Sequence, residues 1–221
     1  VELDHLTAYG NETRAEGTSS VVAGGALYVD GSGLLSHIDL RGNATSATDG
    51  AAGAGALLVT SGADTSFSLT NVIVAANTAE STAGTVQGAG LFLDASSGGS
   101  ISLVNADFVE NAGVAADTCS GGGAYFADDA SSSLTVTNVG FSGNTCTGTV
   151  TSEGQAAAIV PGDSAALLWT YNNLYEQPTD AIAGITDPTG TDGNVALDPK
   201  YIGTNGNPST WDLRLTVRSE V

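Results

Sequence analysis

Apolar and polar positions alternate along this chain in runs of only three to five residues. Phe67-Ser68-Leu69 is followed by Val72-Ile73-Val74, and Leu134-Thr135-Val136 by Val139-Gly140-Phe141. A period of two over so short a run predicts strands with one face buried. Nowhere do apolar residues keep the i, i+3, i+4, i+7 spacing over ten residues, so the pattern predicts no amphipathic helix. Gly, Ser, Thr, Val and Asn dominate the intervening positions, and these residues favour strands and turns over helices.

The strand pattern recurs at a fixed interval. One block appears as Gly25-Ala26-Leu27-Tyr28-Val29, Gly55-Ala56-Leu57-Leu58-Val59, Gly90-Leu91-Phe92-Leu93, Gly123-Ala124-Tyr125-Phe126 and a worn Ala157-Ala158-Ile159-Val160. A second block ends in asparagine: Leu40-Arg41-Gly42-Asn43, Val74-Ala75-Ala76-Asn77, Phe108-Val109-Glu110-Asn111 and Phe141-Ser142-Gly143-Asn144, with Asn11 closing an earlier copy. Those asparagines stand 32, 34, 34 and 33 residues apart. A parallel series, Asn71, Asn105, Asn138 and Asn172, sits between the two apolar runs of each copy, and His5 and His37 hold its place in the first two copies. Three short strands per period of about 33 residues, coil upon coil, predict an all-β, right-handed parallel β-helix of about five coils over residues 1–175. Asparagine tolerates the left-handed backbone that a tight corner needs. Asn71, Asn105, Asn138 and Asn172 are therefore expected to stack as a ladder of side-chain amides, with His5 and His37 as its substitutes rather than as metal ligands.

In register over several coils, Gly24-Gly25-Ala26-Leu27, Phe108-Val109-Glu110-Asn111 and Phe141-Ser142-Gly143-Asn144 resemble the GGA(I/L/V) and FxxN repeats of the polymorphic outer-membrane proteins. The tail, from Gly193-Asn194-Val195 through Pro199-Lys200-Tyr201 to Trp211-Asp212-Leu213-Arg214-Leu215, is similar to the closing segment of secreted β-helix proteins of the pectate-lyase-like superfamily. The resemblance implies a surface-exposed, bacterial-type β-helix linked to adhesion. Residues 176–194 read as a loop, and 195–216 are expected to fold back over the open end of the coils with Tyr201 and Trp211 as cover. The chain opens on Val1-Glu2-Leu3-Asp4, already strand-like, and reads as a piece of a longer or processed protein.

Charge narrows the partners. With 24 acidic and 5 basic residues the formal charge is -19. So negative a surface repels phosphate backbones, which argues against nucleic acid. No window of 18 apolar residues occurs, so no membrane-spanning helix is expected. The chain reads as a monomer whose partner is a glycan or a protein surface. Asp30, Asp94, Asp128 and Asp129 follow the first strand of their coils and are the candidates for a shared Ca²⁺, against the alternative of a solvated acidic edge. Cys119 and Cys146, the only cysteines, lie in adjacent coils. They either bridge those coils, as an extracellular setting would favour, or remain free thiols.

An enzymatic reading is weaker. A polysaccharide lyase needs a strong base beside clustered carboxylates, and of the basic residues Arg14, Arg41, Lys200, Arg214 and Arg218 only the first two lie in the coils. No Gly-His-Gly, phosphate-binding loop or nucleophile elbow occurs. The leading expectation is a secreted or cell-surface structural and adhesive module. Its segments 44–55, 78–89, 112–123 and 145–156 are expected to stack as loops into one contact face. A carbohydrate-active enzyme is the alternative.

Overall fold

The computed structural model describes residues 1–60, 65–95, 98–127, 131–160, 166–177 and 181–215. It is an all-β solenoid of about five turns whose three long walls are parallel sheets. Each full turn contributes to all three walls. The short-strand sheet stacks Leu27–Asp30, Leu57–Thr60, Leu91–Asp94, Ala124–Ala127 and Ala157–Val160. The long-strand sheet stacks Glu2–Tyr9, Gly33–Arg41, Ser66–Ala75, Ser100–Val109 and Ser133–Ser142, then Ala166–Thr170 and Asn173–Tyr175. The third wall begins with the continuous strands Glu12–Ala23 and Ala44–Gly53. It then splits into pairs such as Thr78–Ser81 with Val86–Gln87 and Ala112–Ala115 with Thr118–Ser120. The segments expected to be stacked loops thus carry the strands of this wall. They do form a lateral face, but a hydrogen-bonded one, because their Thr, Val and Ala positions pair from coil to coil.

Register places like on like. Leu35, Leu69, Leu103 and Val136 stand in one interior column, Leu40, Val74, Phe108 and Phe141 in a second, and Val29, Val59, Leu93, Phe126 and Ile159 in a third. All are buried in one continuous core, where Phe108 and Phe141 stack at 5.0 Å between ring centroids. Burying such columns is the main favourable term for a fold whose contacts run only between neighbouring coils.

Among the described residues, three recurring bends of each coil are turned by residues with positive φ. His5, His37, Asn71, Asn105 and Asn138, at φ between 53° and 57°, kink the long strands. This kink resets the strand's alternation, so that residues on both sides, such as Leu69 and Val72, face inward. Gly10, Gly42, Ala76, Glu110 and Gly143 turn the second corner, each just before an asparagine of the Asn11 to Asn144 series. Gly24, Ala54, Gly88, Gly121 and Gly154 turn the third. Glycine meets this requirement without strain, whereas alanine and glutamate do not.

Two amide ladders result. The buried one is the series that closes the second repeat block. Asn43 Nδ2 donates to Asn77 Oδ1 at 3.0 Å, Asn77 to Asn111 at 2.9 Å and Asn111 to Asn144 at 2.9 Å. Each also donates to a carbonyl of the preceding coil, as Asn111 does to Val74 O at 2.9 Å. The exposed ladder runs along the first corner. Asn138 Nδ2 donates to Asn105 Oδ1 at 2.7 Å, Asn105 to Asn71 Oδ1 at 3.3 Å, and Asn71 to His37 Nε2 at 3.2 Å. Asn172 departs from the expected series. Thr170 pairs with Thr137, so Tyr171, at φ 57°, takes the corner. One residue further on the chain faces inward, and Asn172 is buried, accepting from Val139 N at 2.9 Å. A one-residue change in coil length moves a side chain to the other face of a sheet.

The tail also departs from expectation. The segment after the coils is mostly turns, as expected, but both its ends join the stack: Ile182–Ala183 pairs with Ala157 and Ala158, Val195 bridges Asn173, and Asn194 is buried and donates to Trp169 O. The segment beyond does not cross the open end. Leu197 is fixed to Asn173 by two hydrogen bonds, Leu197 N to Oδ1 at 2.9 Å and Nδ2 to Leu197 O at 2.7 Å. The chain then runs back along the outside of the long-strand sheet as a strap. Tyr201–Gly203 pairs antiparallel with Asp212–Leu215, and Trp211 and Leu213 bury themselves against Ala75 and Val109. The outward patch of Ile73, Ala75 and Val109 is apolar, which explains why the strap settles on that flank. Among the described residues no helix is long and apolar enough to cross a membrane.

Candidate functional site

Between the exposed ladder and the strap lies a groove parallel to the solenoid axis. Its floor is one outward row of the long-strand sheet: Asp39, Ile73, Asp107, Gly140 and Asn173, in register from coil to coil. One wall is the ladder of His37, Asn71, Asn105 and Asn138, continued by Tyr171. The other, at the C-terminal end, is Pro199 and Tyr201 of the strap. Two hollows of about 310 and 410 Å³ share Asn105 and Asp107 and so join into one trough.

Two carboxylates mark the floor, two coils apart, or about 9.6 Å along the backbone stack. Asp39 forms a forked pair with Arg41, whose Nε and Nη2 lie 2.6 and 2.9 Å from its two oxygens, and it accepts from Tyr9 Oη at 3.2 Å. Asp107 accepts from Tyr201 Oη at 3.0 Å. Burial raises the Asp107 carboxyl above the ordinary range, outweighing the lowering effect of that hydrogen bond. Burial likewise raises the Tyr201 phenol far above its usual value, helped by the Asp107 charge and hydrogen bond. The Asp107 carboxyl leans across Gly140, where any Cβ would lie 2.5 Å from Oδ1. Tyr171, 68% exposed, stands at the rim. The groove therefore offers amides, phenols and carboxylates, and the Arg41 guanidinium beside Asp39 is engaged by that carboxylate and by the strap.

Of the residues singled out from the sequence, the ladder of Asn71, Asn105 and Asn138 lines this groove, and the cysteines and Asp30 and Asp94 fall elsewhere. Cys119 and Cys146 form a disulfide, Cα to Cα 5.4 Å, inside the split-strand wall. It joins the second leg of one coil to the first leg of the next. Gly113 leaves the room, since a Cβ there would meet Cys119 Sγ at 2.6 Å. Asp30 and Asp94 do share an outward column, but Thr60 stands between them and Ala127 follows Asp94. Thr60 Oγ1 donates to Asp30 Oδ1 at 2.9 Å. A calcium ion with bonds of 2.3–2.6 Å gathers its oxygens within about 5 Å, closer than the two-coil spacing of Asp30 and Asp94. Asp128 and Asp129 lie outside the described residues.

Asp39, Asp107 and Asp4 were not singled out from the sequence, and Tyr201 was expected only as cover for the open end. A carboxylate at an outward position of an alternating strand reads as ordinary solvated charge. The only available signal was Gly140, a glycine inside a strand and in register with a carboxylate, which marks close approach. No protein-family model matches the chain, and no curated protein or solved structure matches it either.

Proposed function

We propose that the chain is a secreted or cell-surface adhesive β-solenoid that holds an uncharged, hydroxyl-rich glycan along the ladder-and-strap groove. The observation that carries this reading is the chemistry of the groove. Amides of Asn105, Asn138 and Asn173 both donate and accept, Asp39 and Asp107 accept, and the exposed Tyr171 ring supplies an apolar face. Neutral sugars are recognised by such groups. An anionic polymer would be repelled by a chain of charge -19. The inter-coil disulfide supports an oxidising, extracytoplasmic location.

The test is retention of the protein on a panel of immobilised neutral and acidic polysaccharides. Tyr171→Ala and Asn138→Gly should each abolish retention on a neutral glycan without lowering the melting temperature. Thr78→Ala and Glu80→Ala, on the opposite wall, should leave it unchanged. Retention that survives the groove variants, or is lost in the Thr78 and Glu80 variants, overturns the assignment.

One observation favours the enzymatic alternative. Burial raises the Asp107 carboxyl while Asp39 is paired with Arg41, and two carboxyls about 9.6 Å apart along the floor of a groove stand close to the separation used by an inverting glycosidase. Release of reducing ends from the retained polysaccharide, lost in Asp107→Asn, would establish it.

A further inference from the structure

The N-terminal end of the exposed ladder differs from the rest. There the corner positions carry imidazoles, and both turn to one carboxylate. His5 Nδ1 lies 2.7 Å from Asp4 Oδ2, and His37 Nδ1 lies 2.9 Å from Asp4 Oδ1. The rings stack with centroids 4.5 Å apart and planes 13° from parallel. Ser36 Oγ donates to Asp4 Oδ1 at 2.6 Å and holds the carboxylate in place. One ligand atom from each of Asp4, His5 and His37 lies within 4.8 Å of the other two, and all three residues are exposed.

We propose that Asp4, His5 and His37 form a binding site for a divalent transition-metal cation of the zinc type. Two imidazole nitrogens and a carboxylate oxygen are ligands that Zn²⁺, Cu²⁺ and Ni²⁺ accept, whereas Ca²⁺ requires six or more oxygens. Tetrahedral bonds of 2.0–2.2 Å separate neighbouring ligand atoms by about 3.3 Å. The rings approach different oxygens of Asp4, at 2.7 and 2.9 Å, each about half an ångström short of that edge, so a shared cation requires the carboxylate to turn one oxygen toward both rings. The two rings must tilt toward one another, which their exposure permits. Three protein ligands leave the fourth position open to water or to a group on a partner.

The ladder reports on occupancy. Without metal, His37 Nε2 accepts from Asn71, so its proton sits on Nδ1 and points at Asp4. A cation on Nδ1 moves that proton to Nε2. Asn71 must then rotate its amide to present oxygen, and Asn105 and Asn138 follow in turn.

Titration of the 221-residue chain with ZnCl₂ by calorimetry, and with Co²⁺ by visible absorption, tests the site. His5→Asn and His37→Asn are the informative variants, because asparagine already occupies this left-handed corner in later coils and preserves the fold. A single equivalent is expected to bind. Either single variant should weaken it by more than the about 10–100-fold typical of losing a supporting contact. The double variant and Asp4→Asn should abolish it, and Ca²⁺ should not compete. The side-chain amide resonances of Asn71, Asn105 and Asn138 should shift on adding Zn²⁺. No stoichiometric binding, or binding that persists in the double histidine variant, overturns the proposal and leaves a hydrogen-bonded histidine pair only.

Discussion

Arg41 reaches across 170 residues of chain to the backbone of Trp211, its Nη1 donating to the Trp211 carbonyl at 2.7 Å while its other nitrogens grip Asp39. One guanidinium thus joins the second coil to the strap and neutralises a floor carboxylate. Its side chain is 8% exposed and that of Asp39 23%.

Arg41→Met should free the strap and strand Asp39. Removing one partner from a fully buried pair costs about 3–5 kcal/mol, so for this partly exposed one we expect about 2–3 kcal/mol. Arg41→Lys should recover only part of this, because an ammonium cannot reproduce the fork. Urea unfolding checks the energy. Trp211 fluorescence in a Trp169→Phe background checks the strap.

The two ladders should differ in energetic weight. Asn111→Ala leaves Asn77 N, Asn77 Nδ2 and Val74 O in the core without their partner. At about 1–3 kcal/mol per orphaned group, a loss of several kcal/mol follows. Asn105→Gly keeps the left-handed corner and removes only solvent-exposed bonds, so its cost should stay within about 1 kcal/mol. Equal losses in denaturant titrations would contradict the division into structural and surface ladders.

Reducing the Cys119–Cys146 bridge should destabilise the chain. Its 27-residue separation corresponds to roughly 3–4 kcal/mol of loop entropy removed from the unfolded state. A lower denaturant midpoint in dithiothreitol, matched by the double Cys→Ala variant, is the expected result.

Asp107 gives a pH signature of definite sign. Its folded carboxyl is raised above the ordinary 3.8, so the folded chain keeps this proton to higher pH than the unfolded chain does. Its stabilising contribution is full below that value and is lost as pH rises through the folded pKa. Asp107→Asn, which retains the acceptor for Tyr201, should match the parent in melting temperature near pH 3 and exceed it at pH 7.

Glu110, like Ala76 in the coil before it, is strained at a corner that glycine turns in the other coils. It turns its corner at φ 52°, a place held by Gly10, Gly42 and Gly143 in other coils. Burial, then the nearby Glu176 charge, also raises its carboxyl. Glu110→Gly should therefore stabilise by about 0.5–1 kcal/mol, the left-handed strain relieved less the added backbone entropy. A lower melting temperature would contradict this reading.

The amino-acid sequence by itself determined the solenoid, its coil length and its interior columns. Those follow from local facts: strand-length apolar alternation, and Gly or Asn wherever the chain must turn left-handed. Locality also limited the reading. Asn71 to Asn138 and Asn43 to Asn144 look alike as spacings, yet only the kink at each corner decides which amides are buried. The single-residue shift at Tyr171 that turns Asn172 inward depends on pairing with the coil below. The tertiary structure alone placed the strap on the flank, brought Tyr201 to Asp107 and Trp211 to Arg41, and gathered His5 and His37 on Asp4. The strap contacts join residues on opposite sides of the chain's return, where no periodicity links them, whereas His5 and His37 are one repeat apart and only the folded coils turn both to Asp4. The strap contacts form because an apolar outward patch must be covered and a buried charge must be answered.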